Sequence, residues 1–168
     1  MAICAMVAFS FTSCKEETTK ELLMHSKGWT LTAATCDPAY QLEIGAPITN
    51  LFDGFISSCE KDDIIYFNEN GSQVLDYGKD KDTYPCGVEK AEKEKSLGNW
   101  TLVDDKTLKF YFPAYPQVLT ATILTAEDKT LKLSVPIAED DLISKEFRGV
   151  KDGKTVRNYV FTLTYTKN

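Results

Sequence analysis

Alternation of apolar and polar residues runs through most of the chain and predicts β-strands. The first strand spans residues 29–35 (WTLTAAT), with Trp29, Leu31 and Ala33 on one face, and Asp37-Pro38 ends it. Seven further segments follow the same period: 63–67, 72–77, 99–103, 107–112, 118–125, 130–137 and 158–166. Most have one apolar face and one face rich in Thr and Lys, which is typical of an antiparallel sheet with one solvated side.

Residues between the predicted strands carry turn and helix signals. Residues 68–71 (NENG) form a turn whose Gly71 supplies a positive φ at the least steric cost. Residues 18–26 begin with a threonine that can cap a short helix, and Gly28 ends it. Within residues 39–58 we expect an irregular segment followed by about two helical turns. The charged run 88–96 fits either an exposed helix or an edge strand protected by lysines.

Eight antiparallel strands can close into a barrel, which removes unpaired edges. The interior of such a barrel is just wide enough for side chains or one small ligand. Several large apolar residues fall on the predicted inward faces, and they either fill the barrel or line a cavity. The candidate core or ligand-lining residues are Trp29, Leu31, Trp100, Leu102, Phe110, Phe112, Ile123, Leu133, Phe161 and Tyr165.

The length and net charge of the chain limit the classes of protein to which it can belong. The chain has 168 residues, 43% of them hydrophobic, which suits one domain with a substantial core. Its formal net charge is -6, and no cluster of Lys and Arg stands apart from acidic residues. Because anionic surfaces repel phosphate backbones and anionic lipids, we expect neither nucleic-acid binding nor charge-driven membrane binding.

The first residues resemble a bacterial lipoprotein signal. Residues 1–13 form an apolar run too short to span a bilayer, and Cys14 stands where the lipidated first mature residue of a lipoprotein stands. The missing basic start of such a signal predicts that the true beginning lies upstream. The alternative is a buried N-terminal strand with an ordinary cysteine. We therefore divide the chain into a signal peptide (1–13), a lipidated tether with a short helix (14–27) and a barrel (28–168).

The residues after Cys14 carry a second signal. Lys15, Glu16 and Glu17 look like the export signal that sends lipoproteins of the Bacteroidetes group to the outer face of the outer membrane. The alternative interpretation is a charged, solvated tether, and the anchored protein could then face the periplasm. Apart from the lipid anchor we expect no membrane contact.

Once the signal peptide, which contains Cys4, is removed and Cys14 is acylated, three cysteines remain, and an exported location permits a disulfide. Cys59 and Cys86 bracket the predicted hairpin, so a bridge between them would close that loop and stabilise the fold by about 3 kcal/mol. Cys36 is then a free and buried thiol.

Catalytic constellations are weak in this sequence. His25 is the only histidine, and it lies in the predicted N-terminal helix. The acidic groups at 62–63, 104–105 and 139–141 sit at turns or strand starts, where Asp is favoured for backbone reasons. Residues 80–82 (DKD) begin a calcium-loop pattern without finishing it. We therefore expect that the protein is not an enzyme and binds neither a metal ion nor a cofactor.

Several short motifs resemble the lipocalin-like lipoproteins of the Bacteroidetes group. They are Gly28-Trp29, Cys59-Glu60-Lys61-Asp62-Asp63 leading to Phe67-Asn68 and Asn70-Gly71, the distal Cys86, and Gly98-Asn99-Trp100-Thr101-Leu102 followed by Lys106-Thr107-Leu108. The resemblance implies an all-β fold, a single antiparallel eight-stranded lipocalin-like (calycin) barrel. A short N-terminal helix precedes it, and a short helical insert lies before the second strand. Members of this group mostly have no established ligand.

The sequence therefore predicts a monomeric, non-enzymatic, surface-anchored barrel that binds a small apolar ligand or a partner protein. The rival hypothesis is an interaction or accessory module with a filled barrel that acts through its loops and holds no small molecule.

Overall fold

The computed structural model describes residues 17–40, 45–79, 94–113, 117–138 and 158–168. These residues form short helices and nine strands. The helical elements are α1 (Thr19–Leu23), α2 (Leu51–Phe55) and a 3-10 helix (Ser58–Glu60). The strands are β1 (Trp29–Tyr40), β2 (Ile48–Asn50), β3 (Ile64–Phe67), β4 (Ser72–Asp76), β5 (Glu94–Asp104), β6 (Thr107–Tyr111), β7 (Val118–Ala126), β8 (Thr130–Ala138) and β9 (Asn158–Lys167).

Eight of the strands form a closed antiparallel barrel. β1 pairs with β3, each later strand pairs with the next, and β9 returns to pair with β1. β2 stands outside this ring and pairs only with the second half of β1. The predicted fold class, a single antiparallel eight-stranded lipocalin-like barrel with a short helix before it and a helical insert before the second barrel strand, is confirmed.

The two ends of the barrel differ in their connections. Because neighbouring strands alternate in direction, the short turns at 68–71, 105–106 and 127–129 lie at the same end as the start of β1. We call this end the base. The longer connections 41–63, 77–93, 112–117 and 139–157 join the strands at the opposite end, which we call the mouth.

Helix α1 packs against the base. Thr18 caps it, with its hydroxyl accepting from the Glu21 backbone N–H and the Glu21 carboxylate accepting from the Thr18 N–H at 2.8 Å. Leu23 is completely buried in the barrel core, and its carbonyl accepts a hydrogen bond from Trp29 Nε1 at 2.9 Å. The predicted threonine cap and short helix are therefore confirmed, but the helix ends at Leu23 with Met24 as its C-cap and does not extend to Gly28.

The first strand differs from the prediction in two ways. Thr32 is a bulge, because Leu31 pairs with Tyr165 and Ala33 with the adjacent Thr164, and its hydroxyl donates to the Thr164 carbonyl at 3.2 Å. The extra residue shifts the alternation of inward and outward side chains by one position. Ala34 is therefore buried, whereas the sequence pattern placed Ala33 on the inward face. The prediction that Asp37-Pro38 ends the strand was also wrong, since β1 continues to Tyr40.

Two other segments are more regular than predicted. Residues 48–50 form strand β2 within the stretch that we expected to be irregular, and α2 has little more than one helical turn instead of two. Of the charged run 88–96, residues 94–96 belong to β5 and pair with β4, so this part is a strand and not a helix, and it is not at the edge of the sheet. Residues 88–93 lie outside the described part of the chain.

Candidate functional site

An aromatic cluster fills the barrel interior above the base. Trp100 is 4% exposed, and its ring meets Phe67 edge-on with centroids 5.4 Å apart. Phe110 lies 6.2 Å from Phe67 and stacks with Phe112 at 6.0 Å. Because the Trp100 indole N–H donates to the Asn68 carbonyl at 3.1 Å, the cluster is tied to the turn at the base.

The structure brings together nine of the ten candidate interior residues. Five of them are buried members of one cluster: Trp29, Trp100, Phe110, Ile123 and Leu133. Four more are partly buried and pack against it: Leu102, Phe112, Phe161 and Tyr165. Leu31 is partly buried and belongs to neither of the clusters in the described residues. Burial raises the pKa of Tyr165 to about 12, so its phenol stays protonated.

A second cluster lies at the mouth. Cys36, Tyr40 and Tyr159 are buried together, and Phe161 contacts both this cluster and the larger one. Leu51 and Phe55 of α2 pack on it, with Phe55 edge-on to Tyr40 at 5.9 Å. Helix α2 therefore covers the β1 and β9 side of the mouth.

Cys36 is a free and buried thiol, as predicted. Burial, followed by the Asp37 charge, raises its pKa to about 11, and its Sγ donates to the Pro38 carbonyl at 3.2 Å. A thiol held in this neutral form is a poor nucleophile. Cys59 is disulfide-bonded. Cys86 lies outside the described residues, so the pairing of Cys59 with Cys86 stays a prediction.

Gln73 is a buried polar residue on the inward face that the sequence pattern did not single out. It is 4% exposed and stands opposite Phe67 on β3 and Gly98 on β5. Its side-chain oxygen Oε1 is buried without a hydrogen-bond partner among the described residues. In the segment SQVLDY the apolar Val74 and Leu75 face opposite sides, so alternation alone could not decide which face points inward.

Carboxylates gather where β3 begins and β4 ends, at the mouth. Burial, followed by the charges of Asp62, Glu60 and Asp76, raises the pKa of Asp63 to about 6. Asp62 Oδ2 accepts from the Lys79 backbone N–H at 2.7 Å. This contact requires Gly78, because a Cβ there would stand 2.5 Å from the Asp62 carboxyl carbon.

Within the described residues, these carboxylates have neither a metal-binding cluster nor a histidine beside them. No group of three or more His, Cys, Asp or Glu side chains in the described ranges could hold a metal ion. His25 directly follows the C-cap of α1 at the base, whereas Asp62 and Asp63 lie at the mouth. None of the helices in the described part of the chain has the length and apolar run that crossing a membrane requires.

The barrel wall opens between β7 and β8 on the mouth side. The ladder between these strands runs from Ala126 to Thr122 on β7 and stops at the pair Thr122 and Ser134. Beyond it lies a cavity of about 390 Å³, lined by Gln117, Val118, Leu119, Thr120, Pro136 and Ile137. Pro136 was present in the predicted strand, and a proline within a strand pattern is the sequence signal for such an edge.

The remaining predicted residues fall at or beyond the limit of the described chain. Cys14, Lys15 and Glu16 lie outside it, and Glu17 is its first residue and is exposed. Comparison with models of known protein families gives no match, and comparison with curated proteins gives none either. Strand order and closure place the chain in the class of lipocalin-like barrels.

Proposed function

We propose that this protein is a non-enzymatic, surface-anchored lipoprotein whose lipocalin-like barrel binds a small apolar ligand near the mouth. The observation that carries this proposal is the position of Leu31 and Leu75. Leu31 stands opposite Tyr165, and Leu75 opposite Ile65, and both of those partners pack in the core. The two leucines therefore face inward, yet they are only partly buried and belong to neither cluster.

The ends of the barrel support entry from the mouth. At the base, Leu23 of α1 is completely buried in the core and accepts a hydrogen bond from Trp29 of β1, so α1 obstructs that end. At the mouth, α2 packs over the side formed by Cys36 and Tyr159. A ligand would therefore rest on the aromatic cluster and contact Leu31, beside the start of β3, and Leu75, near the end of β4. An apolar molecule suits this position because the surrounding side chains are mostly hydrocarbon.

An uncharged fluorescent probe, N-phenyl-1-naphthylamine, tests the proposal. We expect the emission of the probe to rise on binding. The bound probe should also quench tryptophan fluorescence, since Trp29 and Trp100 form part of the floor of the ligand site. Leu31→Gln should weaken binding by about tenfold, since a polar amide then faces the ligand. Val103→Gln is the matched control, because Val103 is 53% exposed. No binding by the wild type, or equal binding by both variants, would contradict the proposal.

Anchoring needs its own experiment. Cys14→Ser should release the protein from the membrane without unfolding it, since acyl chains contribute roughly 0.8 kcal/mol per buried CH₂ and are the expected attachment. Neutral residues at 15–17 should preserve anchoring and abolish cleavage by protease added to whole cells. Persistent membrane fractionation of the serine variant would refute the lipoprotein assignment.

The filled-barrel interaction module remains the second candidate, because nine of the ten candidate interior residues pack in or against one cluster. Native mass spectrometry of the protein purified from its own host separates the two. A retained small molecule supports the ligand-binding proposal, and a bound protein without one supports the module.

A further inference from the structure

We infer that the opening between β7 and β8 is a docking site for a short extended peptide with uncharged side chains, which adds to β7 as a strand. This site lies in the barrel wall and is independent of the ligand site proposed inside the mouth. It rests on the direction of the backbone groups, on Pro136 and on the cavity that follows it.

The direction of the β7 backbone follows from one hydrogen bond. The Ile123 N–H donates to the Lys106 carbonyl at 2.7 Å, toward the β6 side. In an antiparallel sheet, successive residues direct their N–H and C=O groups to opposite neighbours. Leu119 and Ala121 therefore bond to β6, where they stand opposite Phe110 and Leu108. Val118 and Thr120 direct theirs toward β8.

Pro136 explains why the ladder stops. Extending the register beyond Thr122 and Ser134 would place Thr120 opposite Pro136. Proline has no N–H, so it cannot donate to the Thr120 carbonyl. Its nitrogen points into the opening, and the ladder between β8 and β9 continues through the pair Pro136 and Val160. Within the described residues, Val118 and Thr120 are paired with β6, and the register between β7 and β8 includes neither of them.

The surroundings select the class of occupant. None of the described residues that line the cavity is charged, so we expect uncharged side chains on the occupant where it contacts them. Val118 and Val160 are large apolar residues exposed beside the opening, at 45% and 39%. The backbone groups of Val118 and Thr120 lie at alternate residues, which matches the two-residue repeat of an extended peptide. Such a peptide would form main-chain hydrogen bonds with β7 and place every second side chain in a pocket.

A second copy of the chain is a poorer fit than a short peptide. Stable dimers bury about 20–30 residues on each side, and six residues of the described chain line this opening. A few main-chain hydrogen bonds and one apolar pocket suit weak binding by a segment of two to four residues. The predicted partner is therefore an exposed, flexible segment of another protein.

Hydrogen exchange of the full chain, resolved to single amides, tests the opening itself. We expect the amides of Val118 and Thr120 to exchange at least about tenfold faster than those of Leu119 and Ala121, which bond to β6. Pro136→Ala restores a donor, so it should let the ladder extend and slow the Thr120 amide. Pro113→Ala is the control, since Pro113 lies outside the strands and is exposed. Equal protection of all four amides would overturn the inference.

The peptide probe is acetyl-Val-Thr-Val-Thr-Val-amide, titrated at millimolar concentration and followed by amide chemical shifts. Shifts centred on Val118 and Thr120 are expected in the wild type, with binding at least about tenfold weaker in Pro136→Ala. Thr120→Pro offers a second variant, because the N–H it removes faces the opening and not β6; it should fold and lose binding. A probe with N-methylated valines should not bind.

Three outcomes would refute the docking site. They are unchanged peptide affinity in both variants, binding of the N-methylated probe with equal strength, and concentration-dependent dimerisation that Pro136→Ala abolishes. The last would assign the opening to a second copy instead.

Discussion

Truncation of Trp100 is the most direct test of whether the lower barrel is a packed core. The side chain is 4% exposed, sits edge-on to Phe67, and donates its indole N–H to the Asn68 carbonyl. Trp100→Ala removes all of these contacts together and leaves a space that neighbours fill only in part. We therefore expect the free energy of unfolding to fall by about 3 to 5 kcal/mol.

A second variant separates the contribution of the hydrogen bond to Asn68 from that of the packed ring. Trp100→Phe keeps an aromatic ring beside Phe67 and removes the hydrogen bond to the Asn68 carbonyl, which still accepts from the Gly71 N–H at 2.9 Å. We therefore expect this lost hydrogen bond to cost about 0.5 to 1.5 kcal/mol. Thr101→Ala is the matched control, because Thr101 is exposed on the same strand, and it should change stability by less than about 0.5 kcal/mol.

Urea unfolding followed by far-UV circular dichroism measures all three variants. Since domains unfold with about 5 to 15 kcal/mol, the alanine variant should still fold while its midpoint drops clearly. A cost below about 1 kcal/mol would show that the indole is not packed against the aromatic cluster. A small cost together with altered affinity for N-phenyl-1-naphthylamine would extend the ligand site down to the base.

Three further predictions follow from single residues. Cys36 should react with iodoacetamide only after unfolding, and non-reducing digestion should give one linked peptide containing Cys59 and Cys86; a link to Cys36 would contradict both. Because burial and neighbouring charges raise the pKa of Asp63 to about 6, its carboxyl favours folding below that pH, and this contribution is lost as pH rises through about 6. Asp63→Asn should therefore raise the unfolding temperature at about pH 7 and change it little near pH 4, with Glu69→Gln as control; an equal effect at both would refute the pKa argument. Thr18→Ala should cost about 0.5 to 2 kcal/mol by removing the cap of α1, and an unchanged urea midpoint would show that α1 does not contribute.

The alternation of residues was sufficient to predict the barrel because each strand buries one face only. Segments such as 130–137 and 158–166 place apolar residues at every second position, and those positions are buried or partly buried in the structure. The capped helix was equally predictable, since Thr18 and Glu21 have the spacing of a capping box. Fold and core thus follow from local patterns repeated along the chain.

Features that depend on a specific neighbour could not be predicted from these patterns. The bulge at Thr32 falls in a stretch where Ala33 and Ala34 are equally apolar, so the pattern is the same in either phase. Pro38 lies between Thr35 and Tyr40, where the pairing of β1 with β2 is irregular, so its missing N–H need not break a ladder bond. Gln73 is assigned inward by its partner Phe67, which lies on another strand.

The two prolines in strands β1 and β8 show why a residue type alone does not determine its structural effect. Pro38 lies within an irregular pairing, and the strand continues past it. Pro136 lies where the regular ladder would place it opposite Thr120, and its nitrogen faces β7, so the loss of one donor coincides with the end of that ladder. Because its other side faces β9, where Val160 remains paired, the barrel stays closed on that side. Whether a strand proline ends an element or opens a wall therefore depends on which neighbour its nitrogen faces.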